Sequence, residues 1–488
     1  MMSEIEYKKL SFASVAIDAV STFRAFLVPL VIMLVANFSK FTLDISSPGF
    51  WSSLALIGFW SVVILFSLLF SIIRWWTYYY WFEDAELRVK YGVFIKKKRY
   101  IPFERIQTLN YHESIIHRIF GLVKVEVETA SSSEGEAEVV LTALTREAAD
   151  QIEQEMRKAK QQFGVTEELE PVEPASAVTA MYTMSTKDLL VLASTSGGIG
   201  VIISGLLAVV SQISDIIPYD KIYGELATLA KYGVLIISLI ILSLFVIGWI
   251  ASVILTYLKY YSFTVVVQEE NLIITRGLLE KKRVTIPLKR VQAIKIVENP
   301  FRQLFNYATV SIESAGSNGS EDSMVIFPLI KLTKLQAPLT ELFPHYEWQQ
   351  QFIPAPRRSQ PFFYRVDFIW VLPVIAGLSY FLMPWGLLSL VIIPATIGLG
   401  IWQHRTAAYA LTGKQLTLRY RIFSRVTFFV EKHRIQSMTT KQTYFKQRKN
   451  VADVTVSVMS GSGGATATVP ALEQQDAEII LQWYEHKK

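Results

Sequence analysis

Cysteine is absent from all 488 residues. That excludes disulfides, thiol catalysis, thiolate metal sites and palmitoylation. Histidine is scarce: His112, His117, His345, His404, His433 and His486 are the full set. Only His112 and His117 are close, and their spacing fits no helical or strand ligand pair, so no metal and no cofactor is expected. There is no phosphate-cradling glycine loop, no nucleophile elbow and no paired-carboxylate signature. No catalytic residue is therefore assigned, and the chain reads as a non-enzyme. The apolar runs are almost free of ionisable groups; Asp18, Lys187, Asp188 and Asp367 stand at their edges. A transporter more typically places such groups inside the spans. The N-terminus lacks a small-residue cleavage site, and Glu4 and Glu6 dilute its positive charge, so the first apolar segment is expected to be retained.

What is abundant is apolar. Hydrophobic residues make up 51% of the chain, aromatics 13%, and the mean hydropathy is +0.32. A span needs about 20 apolar residues to cross a core of about 30 Å. Six segments qualify: 23–38, 50–73, 189–213, 233–258, 368–384 and 387–402. The last two share almost no loop, so a re-entrant pair is the alternative to two full spans. The net charge of +6 is modest, and its placement says more. Inside the hairpins stand only Lys40, Lys221 and Lys231. The other side carries Lys8, Lys9, Arg24, Arg74, Lys187, Lys259, Arg357, Arg358, Arg365 and Arg405, among others. The positive-inside rule then predicts a multi-pass protein of the cytoplasmic membrane with both termini cytoplasmic. Trp75, Trp76, Tyr78, Tyr79, Tyr80 and Trp81, with Tyr257, Tyr260 and Tyr261, read as inner-interface belts. Ser196, Gly200 and Ser204 form a small-residue face. Packing within the chain is its first reading and a homo-oligomer the second.

One pattern occurs three times. The heptad 101–107, Ile-Pro-Phe-Glu-Arg-Ile-Gln, recurs at 286–292 as Ile-Pro-Leu-Lys-Arg-Val-Gln and at 430–436 as Val-Glu-Lys-His-Arg-Ile-Gln. Gly92 and Gly277 precede the first two copies at equal spacing, and Glu113 and Glu298 follow at equal spacing. Strand-like runs at 125–129, 310–314 and 454–458 keep the same register. A gapless match of this length indicates a repeated unit. Each unit is an apolar hairpin followed by many short strands with frequent turns, which argues for a sandwich or open barrel. Helix-period segments close the first copy at 146–158 and the third at 472–486. Pro338 is expected to interrupt the closing helix of the second.

A small sandwich closed by one C-terminal helix is the pleckstrin-homology plan. The Ile-Pro-x-x-Arg-Ile-Gln pattern, the Ser-Ile-Ile-His-Arg-Ile-Phe-Gly run at 114–121 and the Val-Glu-Val-Glu-Thr strand at 125–129 resemble the second family of bacterial pleckstrin-homology-like (PH-like) domains. Three such domains after three hairpins resemble YdbT-type membrane proteins of Gram-positive bacteria. The third copy departs, with Arg421 for the glycine and Glu431 for the proline. The fold class is thus membrane α plus β: six transmembrane helices in three hairpins, each followed by a PH-like sandwich with a C-terminal helix. The expected hairpins are 1–76, 187–258 and 366–403. The domains are 77–160, 259–345 and 404–488, and the linkers 161–186 and 346–365.

Two groups of residues are candidate sites. Arg105, Arg290 and Arg434 recur beside Gln107, Gln292 and Gln436, with Gly92, Gly277, Pro102 and Pro287 nearby. Their first reading is structural: guanidiniums satisfying loop carbonyls at a strand junction. The second is a phosphate or carboxylate clamp. Lys96, Lys97, Lys98 and Arg99 fall where Lys281, Lys282 and Arg283 fall in the second copy. Basics near an anionic leaflet contribute about 1 kcal/mol each, and the resemblance makes this strand pair a headgroup site. An edge strand guarded by lysine against aggregation is the equal alternative. The function expected is a scaffold presenting three cytosolic modules for protein assembly and for anionic lipid. Alternatives are a role in envelope defence against membrane-active peptides, and transport or lipid handling. Membrane lipids are expected partners, nucleic acid is not, and the resemblance implies a smaller membrane protein of the same family.

Overall fold

The computed structural model describes residues 7–36, 50–129, 138–162, 180–196, 233–268, 270–314, 324–365, 368–381, 385–460 and 464–485. In the first copy, α1 (Ala13–Ala36) and α2 (Phe50–Trp76) form a hairpin. After it come β1 (Tyr79–Glu83), β2 (Glu86–Tyr91), β3 (Lys97–Pro102), a 3-10 corner (Phe103–Arg105) and β4 (Ile106–Glu113). Then follow α3 (Ile115–Ile119), β5 (Leu122–Thr129), β6 (Val139–Thr145) and α4 (Arg146–Gln162). Helix α1 starts at Ala13 rather than near Phe23, because its first turn belongs to the domain. The Ser11 amide donates to the Ala143 carbonyl (3.1 Å), and Val15 is buried.

The second copy repeats this order. β7 (Tyr182–Thr183), α5 (Thr186–Thr195) and α6 (Gly233–Tyr260) precede β8 (Thr264–Gln268), β9 (Asn271–Arg276) and β10 (Lys281–Pro287). The corner Leu288–Arg290 leads into β11 (Val291–Glu298), α7 (Pro300–Leu304), β12 (Tyr307–Ser314), β13 (Val325–Lys331) and α8 (Leu332–Leu342). In the third, β14 (Ile353–Pro354), α9 (Phe368–Phe381) and α10 (Ile392–Thr406) precede β15 (Ala408–Thr412), β16 (Gln415–Arg421) and β17 (Arg425–Glu431). The corner Lys432–Arg434, β18 (Ile435–Lys441), α11 (Tyr444–Gln447), β19 (Val451–Val458), β20 (Ala465–Glu473) and α12 (Gln474–Tyr484) complete it.

The alternation of apolar and polar residues puts one face of each strand inside. β12 alternates half-buried and buried over its whole length, as period-two side chains on one face must. The repeated glycines have a steric cause. Gly92 and Gly277 sit at φ +116° and +105°, and a Cβ on either would lie 2.0 Å from the carbonyl oxygen of Ile95 or Glu280. Only glycine fits that turn. Arg421 replaces it where the third copy uses a different turn. Residues 121, 306 and 450 (Gly, Asn, Asn) share a positive φ that ends the short helix of each copy, a common helix stop.

Several expectations change. Among the described residues two helices are long and apolar enough to cross a membrane, Phe50–Trp76 and Gly386–Thr406. A third counts if the bent pair Arg357–Phe363 and Phe368–Tyr380 is one span, and Ala13–Phe23 and Phe245–Tyr260 are shorter apolar stretches. This is fewer than six spans in three hairpins. Most of the segment 189–213, with Gly200 and Ser204, lies outside the described residues. Pro338 does not end its helix: α8 runs through it. Leu335, Leu339 and Leu342 are buried on one face. Three such side chains gain about 1.5–3 kcal/mol each, which exceeds the ~3 kcal/mol cost of an interior proline. The segment 346–365 is part of the fold, since β14 pairs with β15 and Ala355 lies in the core of the third copy.

The sheets do not stop at the domain boundaries. One seven-stranded sheet has the order β6-β5-β4-β10-β9-β8-β7, and another β13-β12-β11-β17-β16-β15-β14. Each joins the second sheet of one copy to the first sheet of the next. Three-stranded sheets remain at the ends, β1-β2-β3 and β18-β19-β20.

Candidate functional site

The seams between copies are edge-to-edge strand pairs. At the first, Lys281, Lys282 and Arg283 on β10 face Glu113, His112 and Tyr111 on β4. The Arg283 guanidinium lies over the Tyr111 ring, and the Tyr111 hydroxyl donates to Glu153 (2.9 Å). His112 stands between two carboxylates: Nε2 is 3.2 Å from Glu126 and Nδ1 is 3.6 Å from Glu280 of the next copy. Burial works against its imidazolium, but hydrogen bonds to Glu126 and Glu280 outweigh it and hold the pKa above the ordinary value. Glu126 goes down to about 2 despite its burial, through the hydrogen bond and charge of His112 and those of Lys124. Glu280 also goes down to about 2, through the His112 hydrogen bond and Lys282.

The pH dependence follows. The histidine contribution is complete below its unfolded pKa of about 6.5 and is lost as pH rises through the higher folded value. The carboxylate contribution is complete above about 4.5 and is lost as pH falls toward 2. The seam is therefore tightest between those limits. His112→Gln is expected to cost about 1 kcal/mol at pH 6, the low end for a partly solvated charged hydrogen bond, and close to nothing at pH 9. Melting curves of the full chain at both pH values check this. An equal loss at both would show that His112 acts through packing alone.

The second seam is longer. β11 and β17 pair from Ala293↔Val430 through Glu298↔Arg425. Arg425 donates Nε to Glu298 Oε1 (2.8 Å) and Nη2 to Oε2, and Glu298 is buried. Arg421, the residue that replaced glycine, lies over the Trp402 ring and donates to Gln303 of the second copy (3.0 Å). Phe429 of β17 lies in the core of the second copy, and Ala293 of β11 in the core of the third.

The repeated arginine points back across a seam. Arg434 donates to the Lys289 carbonyl of the second copy (2.8 Å). Arg290 feels Glu128 of the first copy: burial lowers its pKa and that carboxylate opposes the shift. Glu128 is itself buried, with its pKa raised by burial against hydrogen bonds from Thr108 and Asn110 (2.8 Å each). Arg105 belongs to the first of the three copies and is exposed. Of the glutamines, Gln292 donates to the Arg290 carbonyl (3.0 Å) and Gln436 is exposed, while the Gln107 side chain lies outside the described positions. The seam residues Tyr111, Glu126, Glu280, Arg425 and Phe429 form no motif within one copy. Their signal is a match between copies: Glu113 and Glu298 share one register and face Lys281 and Arg425.

The basic runs have different fates. The backbone of Lys281, Lys282 and Arg283 is paired in the first seam, while the Lys281 and Arg283 side chains stay exposed. Lys96, Lys97 and Lys98 are exposed, and Arg99 reaches Glu138 (3.2 Å). They lie along β3, whose outer edge is the counterpart of the paired edges of β10 and β17. At the other end β18 is the edge strand among the described residues, and it presents exposed Ser437, Thr439, Thr440 and Lys441. Gln442 occupies the place of Glu113 and Glu298. Among the described residues no group of three or more His, Asp or Glu side chains could hold a metal.

The bacterial PH domain family model matches three times, over residues 25–160, 203–342 and 367–488. The chain belongs to this family. A relative from Bacillus subtilis (strain 168), the UPF0699 transmembrane protein YdbT, is 36% identical over 450 residues, covering 90% of each chain. Family membership, the apolar helices and this relative make the chain a membrane protein carrying three bacterial PH domains. In this member of the family the domains are joined strand to strand.

Proposed function

We propose that the protein is a non-enzymatic scaffold whose three domains form one array on the inner face of the cytoplasmic membrane. The observation that carries this reading is the head-to-tail strand pairing that, among the described residues, leaves the β3 edge unpaired. A heterologous contact of this kind does not close on itself and accepts a further unit. Strand addition to an exposed edge is a common mode of protein capture. The unit that fits β3 is a domain of the same family with a carboxylate at the end of its β4-type strand, opposite Lys96 as Glu298 stands opposite Arg425 and pairs with it; Glu113 holds the same register opposite Lys281 but is bonded to Arg146. The third domain of a second copy fits poorly, because Lys441 and Gln442 would meet the basic run. The partner proposed is therefore a smaller membrane protein of this family with one hairpin and one domain. Six spans and cytoplasmic termini complete the proposal, supported by six apolar segments and one-sided Lys and Arg. Anionic lipid is a second occupant of the exposed lysines, supported by their charge and their place near the span ends. The hollow between α1 and α2 favours a scaffold over a transporter: its 220 Å³ is lined by Phe23, Phe26, Trp60, Ile64 and other uncharged side chains.

The test uses the absence of cysteine. Lys98→Cys is paired with a single cysteine on the β4-type strand of a one-domain family member from the same cell. A disulfide crosslink is expected in inverted membrane vesicles. Reversing Lys96, Lys97 and Arg99 to Glu should reduce it roughly tenfold, a loss of about 1.4 kcal/mol. The same reversal should lower the anionic lipid that copurifies with the full-length protein. Crosslinking unchanged by the reversal sinks the edge reading. Labelling of Lys98→Cys by an impermeant maleimide from outside intact cells sinks the orientation.

A further inference from the structure

The end of each domain that meets its membrane helices carries exposed apolar side chains. The topology puts them there. Each helix runs directly into the first strand, so the turn after the second strand returns to the helix end. In the second copy the Leu278 amide donates to the Leu258 carbonyl of α6 (2.9 Å). In the third, Gln403 of α10 donates to the Ile422 carbonyl (2.9 Å). The fourth strand returns to the same end and delivers the short helix. Arg302 Nε of α7 donates to Thr195 Oγ1 (3.0 Å), and Asn299, which caps α7, donates to the Thr195 carbonyl (3.3 Å), at the end of α5.

The side chains presented here are large and apolar. Phe94 is 90% exposed, Leu304 76% and Phe423 62%. Phe301 and Phe305 flank Leu304, and Ile422 flanks Phe423, all exposed. Exposed apolar surface on this scale marks an interaction site. What covers it is fixed by what it adjoins. Phe423 lines one surface hollow with Ala395, Leu399 and Trp402 of α10, part of the Gly386–Thr406 helix that is long and apolar enough to cross the membrane. The apolar surface of that helix therefore continues onto the turn.

We infer, resting on the orientation proposed above, that these turns and short helices are seated in the inner leaflet, at the boundary between headgroups and acyl chains, and hold the array flat against the bilayer. The contact is made by apolar side chains, so it needs no anionic lipid. An interfacial segment buries its apolar face about 5–10 Å into this boundary. The lysines of β3 lie just outside it. Salt screens charge over a Debye length of about 8 Å but leaves this contact intact.

The full-length protein, free of cysteine, takes one environment-sensitive nitrobenzoxadiazole label at Phe94→Cys, Leu304→Cys or Phe423→Cys. Controls are Glu104→Cys and Lys289→Cys, exposed at the corners on the opposite ends of the strands. In bilayers of neutral phosphatidylcholine, lipid carrying a shallow doxyl quencher should quench the three test labels at least about twofold more than the controls, a contrast set by the insertion depth. Iodide should do the reverse, and added salt or phosphatidylglycerol should change neither. Test labels quenched by iodide like the controls would overturn the inference. So would labels protected from both quenchers, which would place protein over this surface. Quenching by lipid that appears only with phosphatidylglycerol and fades with salt would replace apolar seating by electrostatic attachment.

Discussion

Phe429→Ala is expected to cost about 3–5 kcal/mol, the usual range for a core phenylalanine, and to loosen two domains at once. The side chain belongs to β17 of the third domain, yet it packs with the buried residues of the second and lies 5.1 Å from the ring of Trp348. Its backbone pairs with Ile294. Truncation opens a cavity beside that strand and removes part of the apolar surface that holds β11 to β17. Hydrogen exchange of the full-length protein in detergent reads the result. Amides of β11 and β12 should exchange faster along with those of β17 and β16, while β19 and β20 change least. Faster exchange confined to the third domain would show that the two cores are independent, contrary to the shared packing.

Glu298→Ala should have the second largest effect, a loss of up to about 3 kcal/mol. Breaking a buried pair costs about 3–5 kcal/mol, and Arg425 is 31% exposed in its side chain, which lowers the figure. The carboxylate is the anion beside three arginines. Burial and the neighbouring charge of Arg425 already bring Arg419 down to about 10, with Glu298 opposing the shift. Burial and Arg425 lower Arg421 too. Without Glu298, these guanidiniums repel one another at the seam. Glu298→Gln should lose nearly as much, since it keeps the shape and removes the charge. Glu298→Leu combined with Arg425→Met should recover most of the loss, because an apolar pair of similar volume leaves no charge unpaired. Thermal melts of the four proteins decide it. A double variant no better than Glu298→Ala would mean that the pair is held by geometry other than charge.

Much of this is legible in the sequence alone. The apolar runs, the threefold Ile-Pro-x-x-Arg-Ile-Gln pattern and the alternation in residues 310–314 follow from rules that act over a few residues. So does the glycine at 92 and 277, whose turn admits no Cβ. The basic runs were legible as charge but not as occupancy. Lys281 and Lys96 stand in the same local sequence and both side chains are exposed, yet the backbone of one is paired opposite Glu113 and that of the other lies at a sheet edge. The difference is whether a preceding domain exists to offer its fourth strand. The same reasoning divides Arg434, bonded across a seam, from Arg105, exposed at the end of the array.

By itself the sequence determined the repeat, the membrane class, the sandwich plan of each domain and the residues that start and stop its elements. These depend on periodicity, on steric limits at single residues and on the cost of burying polar backbone. Only the tertiary structure decided that the domains share sheets, that Phe429 serves the core of its neighbour, that Pro338 stays within a helix and that, among the described residues, β3 and β18 are the open edges. The shared sheets and the shared core rest on contacts between residues more than a hundred positions apart, such as Arg425 with Glu298, and the helix at Pro338 on the core of its own domain. An edge strand presents the same unpaired amides and carbonyls whether or not a partner is there. Which edge is filled is set by the fold of the whole chain.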